Sequence, residues 1–120
     1  MFKQIIASLA LGLTLLGVTA TADAAYIETW GPLSLLRVHD VGTGYGPASD
    51  FIDVEVVIAF STNPDKAYGF KLRNDTNRAV HEGMLDVLRD AFANGWTVVI
   101  NAELPTGKNH GVLNRVWIRR

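Results

Sequence analysis

The sequence predicts a mainly β domain with one helix, its strands closing into a small Greek-key barrel in the order β-β-β-α-β-β. Three observations predict it. Residues 51–60 alternate with a period of two, so that Ile52, Val54, Val56, Ile58 and Phe60 share one face while Asp53 and Glu55 take the other. From residue 78 to 94 the apolar positions Val80, Met84, Leu85, Leu88, Ala91 and Phe92 fall instead at helical steps of three and four. After Asn94-Gly95 the strand signal returns and runs almost to the C-terminus.

Residues 1–24 read as an export signal. Lys3 gives a positive start, Ser8, Gly12, Thr14 and Gly17 alone interrupt the apolar run from Ile5 to Val18, and Ala22-Asp23-Ala24 is a small-x-small cleavage site. The run falls short of the ~20 residues that span a bilayer, and without cysteine no lipid can be attached at a lipoprotein-type site. The expectation is a secreted or periplasmic protein of a bacterial-type cell, with no membrane association after cleavage; a retained anchor is the alternative. The working part is then a single domain, residues 25–120.

Those 96 residues have room for one modest core. Without Lys3 and Asp23, ten basic and eleven acidic residues remain, a near-neutral balance that argues against nucleic acid as partner. Small exported domains often need disulfides, and this chain has no cysteine. Its stability must come from packing, from oligomerisation, or from both. A hydrophobic content of 48% argues against disorder.

Taken in order, Tyr26-Ile27-Glu28-Thr29-Trp30 is β-prone and stopped by Gly31-Pro32, which makes it either an edge strand or an arm. Residues 33–40 read as a strand and residues 41–50, with three glycines and a proline, as a loop. Turn chemistry at residues 61–66 closes a hairpin onto residues 67–74, with Tyr68, Phe70 and Leu72 inward and Lys71 and Arg73 outward. Asn77 or Thr76 can cap the helix and Asn94-Gly95 ends it, while Gly83 suggests close packing at the second turn. Residues 96–104 form a strand with Trp96, Val98, Ile100 and Ala102 on one side; residues 105–110 are a turn and 111–120 the last strand. Two hairpin-rich halves around a single helix match the OB-fold, and a helix on an open antiparallel sheet is the alternative.

The span Leu88-x-x-Ala91-x-x-x-Gly95-x-x-Val98, running from helix into strand in a chain of this size, resembles B subunits of AB5 toxins of the pertussis and subtilase-cytotoxin type. That resemblance implies an OB-fold, a pentamer and binding of cell-surface glycans. The absence of cysteine departs from the disulfide usual in those subunits, and toxicity is not implied.

Candidate site residues fall in three groups. The glycine run at residues 42–46 opens onto a strand rather than a helix N-terminus, so it lacks the dipole of a phosphate loop and reads as a connector. Its Tyr45 either stacks on a ligand or folds back on the barrel. Across from it, the loop with Lys108, Asn109 and His110 supplies cations and amides suited to a sugar or an acidic glycan. Between these loops lies the strand face where OB-folds bind ligands, with Lys71 and Arg73 across from Asp53 and Glu55 in a solvated charge ladder. The expected ligand-binding residues are therefore Tyr45, Lys71, Arg73, Lys108 and His110.

In the last strand, Val112, Val116 and Ile118 are expected in the core. Leu113, Arg115, Trp117 and Arg119 then face outward as a subunit interface, the opposite parity burying Trp117. Residues His39, His81 and His110 lack metal-ligand spacing, and neither a nucleophile elbow nor a paired-carboxylate site is legible. The sequon Asn74-Asp75-Thr76 reads as idle in a bacterial export context. No cofactor, metal or catalysis is expected. The reading is a non-enzymatic binding domain for an oligosaccharide or other small polar ligand, able to act as an oligomer, the alternative being a protein-interaction or inhibitor module of the periplasm.

Overall fold

The computed structural model describes residues 24–120; the expected export signal lies outside the described residues, apart from Ala24. The chain is mainly β with one helix. Its strands are β1 (Ala24–Gly31), β2 (Leu33–Val38), β3 (Val56–Phe60), β4 (Asn63–Phe70), β5 (Thr97–Pro105) and β6 (His110–Arg119), and the helix α1 (Arg78–Asn94) follows β4. They form one mixed sheet in the order β1-β5-β6-β4-β3-β2, in which β4 and β6 are parallel and the other pairs antiparallel. Six strands stand where five were expected, because the segment before Pro32 is a full strand along β5. The hydrogen-bonded order ends at β1 and β2 and does not close into a barrel.

Both edges of this sheet nevertheless meet at one residue. Gly31 ends β1, Leu33 begins β2, and only Pro32 lies between. Six strands laid flat would put the edges about 24 Å apart, whereas each residue of chain reaches at most ~3.6 Å. The sheet must therefore coil strongly. The bend depends on Gly31, which has φ +148° and whose Cβ, if present, would stand 2.9 Å from Thr62 Oγ1. Ser61, at the β3–β4 turn, donates its N–H and its hydroxyl to the Pro32 carbonyl at 3.0 and 3.2 Å, which pins the bend to the hairpin.

Strand β3 is buried along its whole length. Val56, Ile58 and Phe60 face the main core, with Tyr68 and Phe70 of β4, Val98, Ile100 and Ala102 of β5, and Met84, Leu88 and Ala91 of α1. Val57 joins Ile52, Val54 and Ala67 in a second cluster, against which Leu35 and Tyr45 pack. Ile52 and Val54 thus do not share the face of Val56, Ile58 and Phe60 as expected: the strand begins only at Val56, the alternation breaks before it, and β3 is covered on both faces.

The helix occupies the residues its stripe predicts. Its first turn is capped differently: the Asn77 side chain makes no cap hydrogen bond, and Asp75 instead accepts from the Asn77 N–H at Oδ1, 2.9 Å, and from the Arg78 N–H at its carbonyl, 3.1 Å. Gly95 closes the helix in the left-handed conformation, its N–H bonded to the Ala91 carbonyl. Gly83 corrects another expectation, since a Cβ there would meet nothing within 4 Å.

The last strand also differs, for a local reason. The β5–β6 register pairs Asn101 with Arg115 but Ala102 with Leu113, so Asn114 is an extra residue, a β-bulge. One inserted residue reverses the parity. Val116 and Ile118 pack on the core as expected, yet on the far side of the bulge Leu113 is buried and Val112 is exposed. Leu113 is a core residue and not part of an interface.

Candidate functional site

Asp53 and Glu55 lie before β3, and Lys71 and Arg73 after β4, so the charged residues expected on two paired strands do not form a solvated ladder. Glu55 lies just before β3 and is only 1% exposed. Its Oε1 accepts from the Leu72 N–H at 2.9 Å and from Arg73 Nε at 2.8 Å, and its Oε2 from Arg73 Nη2 at 2.7 Å. The same Nη2 reaches Asp53 Oδ1 at 2.7 Å. One guanidinium therefore serves two carboxylates, and it corrects Arg73 from a ligand-binding residue to an internal counter-ion. The Arg73 hydrogen bonds hold the Glu55 carboxyl below its ordinary value; burial opposes them, and the Leu72 N–H adds to them. The two carboxylates in turn raise the pKa of Arg73. Lys71 remains exposed, beside a cavity at the start of α1.

The two flanking loops do meet, but they turn inward. Tyr45 pairs with Ile52 in an isolated bridge and is half-buried, with the His110 ring 5.0 Å away edge-on, the His39 ring at 6.3 Å and the Arg37 guanidinium 5.6 Å from its centroid. Asp50, closing a single 3-10 turn Ala48–Asp50, accepts the Asn109 and His110 N–H groups at 2.9 and 3.2 Å. Nδ1 of His110 lies 2.6 Å from the Asp50 carbonyl, and Lys108 Nζ donates to the Ser49 carbonyl at 2.6 Å. Tyr45 and His110, expected on opposite sides of the strand face, are in ring contact, and the polar groups of Lys108 and His110 latch their loop to Ser49 and Asp50. A shallow hollow of about 310 Å³ remains beside the latch. Among the described residues no three His, Asp or Glu side chains group around a cation position.

A more open arrangement lies on the outer face of β1, β5 and β6. The registers align Trp30 with Val99 and Val99 with Trp117, then Glu28 with Asn101 and Asn101 with Arg115. Val99 is fully buried although it points away from the main core, as a valine between two indoles should be. Asn101 Nδ2 donates to Glu28 Oε1 at 3.4 Å in the next row. Trp117 is half-buried, Arg115 and Arg119 are exposed, and Arg119 stands opposite Thr97. Arg115, Trp117 and Arg119 therefore share the outward face expected of them.

At the end of this face Trp30 is 57% exposed. It borders a cleft of about 420 Å³ whose other walls are Thr29, Gly31, Pro32, Thr62 and Thr97. An indole face, three threonines and the bend at Gly31 come together here from β1, the β3–β4 turn and β5. Sequence reasoning passed over Trp30 because its segment read only as an edge or an arm. The available signal was Tyr26, Glu28 and Trp30 alternating onto one face ahead of a chain break. In comparison with known proteins, the chain matches no family model and no curated protein.

Proposed function

We propose that this chain is an exported, non-enzymatic binding domain that takes a sugar ring of an oligosaccharide in the Trp30 cleft. The observation that carries the reading is the exposed indole set against Thr29, Thr62 and Thr97. A sugar offers a C–H face that stacks on an indole and hydroxyls that exchange hydrogen bonds with threonine. Arg119, opposite Thr97, and Arg115 favour an acidic sugar over a cationic one.

The fold that accompanies this reading is an OB-type barrel in which β1 and β2 are two halves of one bent first strand serving both edges. The single residue between them, the parallel β4–β6 pair and the place of α1 between β4 and β5 support it. The likeness to toxin B subunits and a pentamer belong to the same proposal. The outward Trp117 and the edge position of β1 support assembly, and light scattering on the exported protein tests it; a monomer at high micromolar concentration would end that part.

A glycan array probed with the folded protein tests the binding function. Trp30→Ala should weaken any hit about tenfold, the effect of losing roughly 1.4 kcal/mol of stacking. A blank array overturns the proposal. The rival reading, a protein-interaction or inhibitor module, rests on the edge strand β1 and the Trp117 row. It predicts a periplasmic protein partner that is lost with Trp117→Ala while Trp30→Ala leaves glycan results unchanged.

A further inference from the structure

A second cavity, of about 440 Å³, lies where the start of α1 meets the end of β4 and the bulge of β6. That size falls within the ~300–1,000 Å³ of small-molecule sites. Its floor is core: Phe70, Met84 and Leu113 are buried. Its rim is apolar yet uncovered, with Val80 64% and Val112 44% exposed. The bulge at Asn114 makes this rim, since the parity change that buries Leu113 turns Val112 out.

Polar groups stand at the same mouth. Lys71 is exposed there, and the nearby carboxylates Asp53 and Glu55 are both engaged by Arg73. Lys71 is the single Lys, Arg, Asp or Glu side chain among the residues that line the cavity. His81 also lines the wall, its ring 5.3 Å from that of Phe70, and its Nδ1 is buried without a hydrogen-bond partner. A buried polar atom without a partner is costly, and a bound ligand or the ring movement its entry allows would supply one.

We propose that this cavity binds a short amphipathic carboxylate, its apolar tail on Phe70, Met84 and Leu113 and its carboxylate at Lys71. A single cation among mostly apolar walls suits a singly charged head on a hydrocarbon body, and is a poor match for a phosphate. The site is separate from the Trp30 cleft and stands or falls independently of it.

The test is an amide-resolved NMR titration of the exported protein with octanoate, octanol and octylamine. Octanoate should shift the amides of Lys71, His81 and Leu113 saturably, with an affinity about fivefold above octanol, the effect of one rim-exposed charge pair. Octylamine should bind weakest. Lys71→Gln should bring octanoate to the level of octanol, and Val80→Asp, at an exposed position, should abolish octanoate binding without lowering Tm. Trp30→Ala should change nothing. Equal affinity for the three probes, no saturation by millimolar octanoate, or octanoate binding unaffected by Lys71→Gln would each overturn the proposal.

Discussion

Replacing Glu55 by alanine should cost about 3 kcal/mol. The carboxylate is almost fully buried and accepts three hydrogen bonds, one of them from the Leu72 backbone. An orphaned buried N–H costs about 1–3 kcal/mol, and the emptied space adds roughly 0.8 kcal/mol per methylene. Against a total stability of about 5–15 kcal/mol for a domain this size, the loss should lower Tm by roughly 12–24 °C. Glu55→Gln keeps the volume and an acceptor for Leu72 and should cost about half as much. Urea unfolding followed by tryptophan fluorescence measures both. If Glu55→Ala changes stability by less than about 0.5 kcal/mol, the carboxylate behaves as a solvated surface group and the buried-pair argument fails.

The same pair sets a pH dependence whose sign can be worked out. The folded pKa of Glu55 is lowered, so the native state binds fewer protons than the unfolded chain as the carboxyl titrates. Its stabilisation is complete above the unfolded pKa and is lost as pH falls through the folded value. Glu55→Gln should remove that acid limb. Arg73→Met should invert it, because burial and the Asp53 charge then raise the Glu55 pKa; that variant should gain stability on mild acidification. Urea midpoints measured from about pH 3 to 7 give all three curves.

Gly83→Ala should stabilise the fold by about 1 kcal/mol, since the helix interior gains a better former and the added Cβ meets open space; thermal melting reads it as a rise of a few degrees. Gly69→Ala should do the reverse by roughly 1–3 kcal/mol, because its Cβ would come within 2.5 Å of both Val54 Cγ2 and the Val56 carbonyl oxygen. Leu113→Ala should cost about 2–5 kcal/mol and Arg115→Ala no more than about 0.5 kcal/mol in chemical denaturation. Equal costs for those two would mean that the bulge is misplaced.

Local pattern made much of this protein legible. Helix α1 follows from its three-four stripe and its Asn94-Gly95 end, because both signals depend on residues within a turn of one another. The strands were legible only in part: β3 and β4 run Val56–Phe60 and Asn63–Phe70 where residues 51–60 and 67–74 were expected. Yet alternation reports only that neighbours point oppositely, and not what covers either side. Glu55 therefore reads as solvated in sequence and is buried in the fold, where Arg73 arrives from the segment after β4, 18 positions along the chain. The loops of Tyr45 and His110 were legible as flanking one face, but their contact with each other depends on Asp50 and on distances no pattern encodes.

By itself the sequence determined the mainly β composition, the single helix with its boundaries, the hairpin between β3 and β4, and the core identity of Val56, Ile58, Phe60, Tyr68 and Phe70. Only the tertiary structure decided the rest: the one-residue bulge at Asn114 that reverses Leu113 and Val112, the bend at Gly31-Pro32 that brings Trp30 to the threonines, and the engagement of Arg73 by two carboxylates. The physical reason is the reach of each interaction. Helix and strand periodicity come from near neighbours, whereas register, burial of charge and the walls of a cleft are set by segments that meet only after the sheet has coiled.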